Sequence, residues 1–182
     1  MGTKIKMIGG SSYDWETEDT LATETTVDAI KKAAEATRDA LTDLFTTGKI
    51  PIPGIGTGSA YASGDAFGTK FDFVVPTEGV FSTVVFYDLD NEGIVKEIHL
   101  FDSDFTATAD NSPFDPSDSD LQRSVGVINI ATFYANANNQ LAIATPALYY
   151  KAPQGKLWAQ VVTRGVDNIA SGSIPLIQFM VS

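Results

Sequence analysis

The sequence predicts a mainly β chain: a jelly-roll-like antiparallel β-sandwich preceded by an N-terminal arm and one amphipathic α-helix. Three observations predict it. A strong helical hydrophobic period occurs once, between Thr25 and Thr47. Beyond Gly58 the period becomes two, through about eight strand-like segments with no helical pattern between them. The composition, 43% hydrophobic and 19% charged over 182 residues, is that of a folded chain with one sizeable core rather than a disordered one. The expected organisation is an arm (1–24), a helix (25–48), a linker (49–58) and a sandwich (59–182).

Residues 1–24 are polar and mixed, with Met7, Tyr13, Trp15 and Leu21 as the apolar anchors. They read as an extended arm that orders when something holds it down, with a floppy tail as the plain alternative. The opening MGTKIKMIGG carries lysines but no following apolar stretch, so it does not read as a secretory signal.

The helix begins at Thr25-x-x-Asp28, a capping-box-like start, and Gly48 followed by Pro51 and Pro53 stops it. Between these signals Val27, Ile30, Ala34, Thr37, Leu41 and Leu44 are spaced 3, 4, 3, 4, 3, a heptad seam broken by Thr37. At 1.5 Å per residue the rod would be roughly 35 Å long. Either the stripe packs on the chain's own sheet, or Val27, Ile30, Ala34, Leu41 and Leu44 meet another subunit or a larger surface. So short a repeat would be marginal as a stand-alone coiled coil.

Lys49–Gly58 reads as a linker from its two prolines and three glycines. Strand candidates follow at about 59–67, 69–76, 81–89, 94–102, 124–133, 142–150, 156–164 and 173–181, rich in Val, Ile, Phe and Tyr. Asp90-Asn91-Glu92-Gly93 is a hairpin-turn signal, and Lys151–Gly155 and Asp167–Gly172 are longer loops of the same kind. Segment 156–164 alternates, with Leu157, Ala159 and Val161 on one face and Trp158, Gln160 and Val162 on the other. Segments 81–89 and 174–181 are apolar on both faces, as expected of strands whose second face meets another sheet or another subunit. Strands of this number without helices between them point to two packed sheets.

Composition also bounds the chemistry. There is no cysteine, which removes disulfides, cysteine nucleophiles and thiolate metal sites, and a single histidine, His99, removes multi-histidine centres. A net charge of −11 repels phosphate backbones and anionic lipid, so neither nucleic acid nor membrane is an expected partner. His99 precedes Asp102 and Asp104, but no G-x-S-x-G elbow accompanies it, and a cross-strand structural histidine is the reading. Gly54-x-Gly56-x-Gly58 lacks the Lys-Ser/Thr of a phosphate loop. The acidic stretch 102–120 reads as a solvated loop. Calcium held by Asp115, Asp118 and Asp120 is the weaker alternative, since the spacing is not that of an EF-hand. No catalytic constellation and no cofactor site emerge.

The run Tyr61-Ala-Ser-Gly64-Asp65-Ala-Phe67-Gly68, followed by Phe71–Val75, resembles the "T-x-Y-x-x-G-D-x-x-G" opening of a set of small tailed-bacteriophage virion proteins. The block 98–121, then Gly126-Val127-Ile128, Leu157-Trp158 and Val162-Thr163-Arg164-Gly165, is similar to the same set, so the resemblance covers about residues 57–182. It implies a non-enzymatic virion protein: a capsid decoration (cement) protein or head fibre, a homotrimer whose partner is the major capsid protein. The alternative is a head- or tail-fibre module binding a host receptor or glycan, with Tyr134 beside Asn136, Asn138 and Asn139 as loop contacts.

Overall fold

The computed structural model describes residues 25–35 and 44–182. A helix, α1, covers 25–35, and Leu44–Ser182 form a compact unit of their own. That unit contains the strands β1 (Phe45–Thr46), β2 (Ile50–Pro51), β3 (Ala66–Val74), β4 (Glu78–Asp88), β5 (Lys96–Phe101) and β6 (Ser124–Ile130). The remaining strands are β7 (Phe133–Ala135), β8 (Gln140–Ala144), β9 (Leu148–Lys151), β10 (Lys156–Thr163) and β11 (Leu176–Val181). A one-turn helix, α2 (Asp118–Leu121), sits in the acidic loop, where the sequence pattern indicates none.

The strands form two antiparallel sheets. The larger runs β1-β11-β4-β8-β7, with β2 also paired to β11 and β9 to β4; the smaller runs β3-β10-β5-β6. The pairings are nested. β5 pairs with β6, β4 with β8 and β9, β3 with β10, and β1 and β2 with β11. Successive pairs alternate between the sheets, so the chain behaves as one long hairpin rolled up on itself. This is the connectivity of a jelly roll.

The nesting corrects the expected boundaries. The sandwich begins at Leu44, not 59, because the outermost pair needs a first strand to lie against the last one. Phe45 and Thr46, expected in the helix, supply it with Ile50 and Pro51, expected in the linker. Phe45 and Ile50 pack against the core and Ile52 is buried within it. Thr47 carries the chain between the two fragments, its amide donating to the Phe179 carbonyl at 2.9 Å while its Oγ1 accepts from the Phe179 amide at 2.9 Å. Pro51 is tolerated because it ends an edge fragment, where its missing N–H costs no ladder bond.

Other expected segments merge or split. Segments 59–67 and 69–76 are one strand from Ala66, and Gly68 does not interrupt it. A Cβ there would lie 2.5 Å from the Pro53 carbonyl oxygen, at φ +78°, so only glycine fits. Segment 124–133 divides into β6 and β7, which belong to different sheets, and 142–150 divides at Pro146 and at Ala147, whose φ is +48°. The Asp90–Gly93 turn is not a hairpin. It carries the chain from β4 in one sheet to β5 in the other, with Asp88 accepting from the Asp90 and Gly93 amides.

The core lies between the sheets and is strongly aromatic. Phe73 of the smaller sheet stacks on Phe179 of the larger at 4.3 Å between ring centroids, and Phe81 packs against Phe179 and Tyr150. Rings at these spacings combine large buried area with favourable quadrupole contacts.

Candidate interaction surface

Cross-strand partners in an antiparallel pair share a face, so the registers define what each sheet presents outward. On the larger sheet Ile177, Phe179 and Val181 of β11 are buried, which turns Leu176, Gln178 and Met180 outward. The registers Pro51–Leu176, Leu176–Tyr87, Tyr87–Leu141 and Leu141–Tyr134 then make one continuous rung across five strands. A second rung joins Gln178, Val85 and Ile143; beyond it lie Met180 with Thr83, and Val80 with Tyr149. Tyr134, Tyr149 and Ile143 are the most exposed of these, at 58%, 54% and 46%.

This face carries almost no charge. In the strands of the larger sheet the charged residues are Glu78, Asp88 and Lys151, all at strand ends, with Asp88 buried and Glu78 opposite Lys151. Gln178 is held by the Tyr87 hydroxyl, which donates to its Oε1 at 3.1 Å, and by its own Nε2 donating to the Thr47 carbonyl at 3.0 Å. Lys49 arches its ammonium over the Tyr87 ring, 4.4 Å from the centroid. A contiguous apolar face is uncommon on a soluble monomer and marks a contact surface.

The outer face of the smaller sheet is different. Trp158, Gln160 and Val162 point outward from β10, as the alternation predicts, yet all are buried, and the 102–123 loop lies over Trp158 and Gln160. Phe105 of that loop stacks on Phe101 at 4.0 Å and packs with Trp158. Gln160 accepts from the Thr108 amide through Oε1 and donates from Nε2 to the carbonyls of Thr108 and Gly68. Asp110 staples the loop to the β2–β3 connection, accepting from the Gly56 and Gly68 amides at 2.8 and 2.7 Å and from the Tyr61 hydroxyl at 2.8 Å. That bond and burial push the Tyr61 hydroxyl pKa well above its ordinary value, burial being the larger cause. The acidic stretch is therefore a fitted cover whose outer carboxylates, Asp104, Asp115 and Asp118, remain solvated.

The sequence-selected residues fall as follows. Val27, Ile30 and Ala34 are exposed on α1, Ile30 at 63%. Leu41 lies outside the described residues. Leu44 is exposed but precedes β1 directly and is not helical, so the seam does not extend to it. Asp120 is buried, accepting from Ser117 Oγ at 2.9 Å and the Thr106 amide at 3.4 Å, whereas Asp115 and Asp118 are exposed. Among the described residues no three His, Cys, Asp or Glu side chains are grouped to hold a metal ion, so the calcium alternative finds no cage. His99 lies between the Phe114 ring, 4.6 Å away, and Glu97, whose Oε2 is 3.2 Å from Nε2; Glu97 also pairs with Arg164. Burial lowers the His99 pKa and Glu97 opposes the shift.

Two features had no sequence signal: the Asp110 staple, whose donors are distant in the chain, and a buried pair between Lys96 and Asp167. The bare face had one, in the doubly apolar segments 81–89 and 174–181. No protein-family model matches the chain, and no curated protein or solved structure is similar enough to it to identify a relative.

Proposed function

We propose that this chain is a non-catalytic capsid decoration (cement) protein, binding the assembled head shell of a tailed bacteriophage as a trimer and stabilising it. The observation that carries the reading is the largely apolar, sparsely charged outer face of the larger sheet on a molecule of net charge −11. Like charge keeps such copies apart least where it is sparse, so contact with a neighbour or with the shell is directed to that face. A protein that binds the assembled lattice better than its free subunits stabilises it by mass action, and repeated contacts on one particle raise the avidity. The exposed stripe Val27, Ile30 and Ala34 is a second contact element in this role.

Sedimentation equilibrium tests the self-association. The expected species at micromolar concentration is a trimer of the 19.4 kDa chain, shifted to monomer by Ile143→Glu with the fold retained. Co-purification with tailless heads, and lower heat resistance of heads lacking the protein, test the shell contact. A wild-type monomer that neither binds nor protects heads removes the proposal.

The exposed Tyr134, beside a turn where Asn136 Nδ2 donates to Asn139 Oδ1 at 3.0 Å, favours the fibre-module reading as the second choice. Adsorption to host cells that is lost in Tyr134→Ala, without any binding to heads, would put it first.

A further inference from the structure

One end of the sandwich encloses a lysine and an aspartate with almost no access to water. Lys96 opens β5, and Asp167 lies in the segment joining β10 to β11, 71 positions away. Their side chains are 3% and 0% exposed, and Lys96 Nζ is 2.9 Å from Asp167 Oδ1. Nζ also donates to the Ile94 carbonyl at 2.8 Å and sits 4.9 and 5.9 Å from the ring centroids of Phe67 and Phe86. The other carboxylate oxygen, Oδ2, accepts from the Thr163 hydroxyl. Asp88 close by is fully engaged, accepting from the Asp90 and Gly93 amides and from Gln140 Nε2.

Neither side chain is hydrated in such a site, and that works against the charged form of the lysine. Burial lowers the Lys96 pKa against the pull of Asp167. Burial, then the charges of Asp167, Asp90 and Asp88, raises the pKa of Glu92 in the adjoining turn.

From this geometry we infer that Lys96 and Asp167 are joined by a self-formed isopeptide bond, Nζ to Cγ, with loss of one water. A proton first passes along the 2.9 Å hydrogen bond from Nζ to the carboxylate, leaving an amine and a carboxylic acid. The Nζ lone pair then attacks Cγ. The C–O bond to the protonated oxygen breaks, and that hydroxyl departs with a second Nζ proton as water, while the third proton stays on the amide nitrogen. Atoms and charges balance, and no oxidant, cofactor or second substrate is required. Holding the two groups at contact supplies the effective concentration that free amines and acids lack in water. The Thr163 hydroxyl is placed to stabilise charge developing on Oδ2 during attack. The bond would tie β5 of the smaller sheet to the chain entering β11 of the larger. It closes a long loop covalently, as a disulfide would, in a sequence without cysteine.

The test is the intact mass of the full-length wild-type chain, measured after denaturation and allowing for removal of the initiator methionine. The expected mass is one water below that of the sequence, and proteolysis should yield a branched peptide joining the Lys96 and Asp167 segments. Lys96→Met and Asp167→Ala should each restore the full sequence mass. Full sequence mass in wild-type protein, after prolonged incubation with native far-UV circular dichroism, overturns the inference, as does water loss mapped to any other residue. The wild-type reading does not depend on either variant folding, and either result leaves the assembly role to its own test.

Discussion

The two sheets differ most on the sides turned away from each other. The smaller sheet has its outer face closed by the chain's own 102–123 loop, pinned by Asp110 and Gln160 and sealed by Phe105 against Trp158. The larger sheet presents Tyr87, Leu141, Ile143, Tyr149 and Met180, and among the described residues no loop is pinned over them in that way. One chain thus treats two apolar sheet exteriors in opposite ways. The difference teaches that the bare face is not a shortage of covering material. The acidic loop shows how a 20-residue-scale segment closes a sheet when closure is wanted. Among the described residues no segment plays that part for the larger sheet.

The largest expected effect comes from lifting the cover. Asp110→Ala orphans the Gly56 and Gly68 amides and the Tyr61 hydroxyl, and should cost about 3 kcal/mol in urea unfolding. It should also make the smaller sheet resemble the larger, exposing Trp158 and adding a second mode of association by light scattering. A loss under about 1 kcal/mol would mean the loop is only draped over the sheet. A matched pair of aromatic deletions sharpens the contrast. Phe105→Ala removes a buried ring of the cover and should cost about 3 kcal/mol. Tyr134→Ala on the open face should change the stability of the isolated chain by no more than about 0.5 kcal/mol. Equal costs would show that both faces are equally closed.

The contrast also marks how far the sequence could be read. Period-two patterning located β4, β10 and β11 within a few residues and assigned the two faces of β10, because a half-buried strand must alternate and a doubly buried one need not. It could not say which doubly apolar strand is covered by the chain itself. Trp158 and Tyr87 are both outward-facing aromatics on apolar strands, and the path of the 102–123 loop separates them. The first strand was misread for a local reason. Leu44 continues the heptad seam with Phe45 on its flank, and two prolines and three glycines after them resemble a linker, while the strand character of Phe45 and Thr46 comes from pairing with β11 at the far end of the chain. The exposed apolar residues on α1 were legible as a stripe, but the open sheet face emerged only when the registers aligned residues from five strands.

The smallest expected effect concerns His99, the titratable group on the closed side. It packs on Phe114 of the covering loop, and burial, its main influence, lowers its pKa below the ordinary 6.5, with Glu97 pulling the other way. A folded pKa below the unfolded one means that, as pH falls below 6.5, the unfolded chain takes up a proton that the folded chain resists. The contribution is therefore intact above 6.5 and is lost as pH drops through the folded value. Glu97, lowered mainly by its hydrogen bond from Arg164, contributes in the same direction but beneath its ordinary 4.5. Stability measured by urea unfolding from pH 7 to 5 should decline in wild type and decline less in His99→Phe, which keeps a ring against Phe114. An unchanged slope would show that the ring titrates as freely as in the unfolded chain, so that the cover admits water at its edge. The open sheet has no histidine, so the same titration should leave association through Ile143 unaffected over that range.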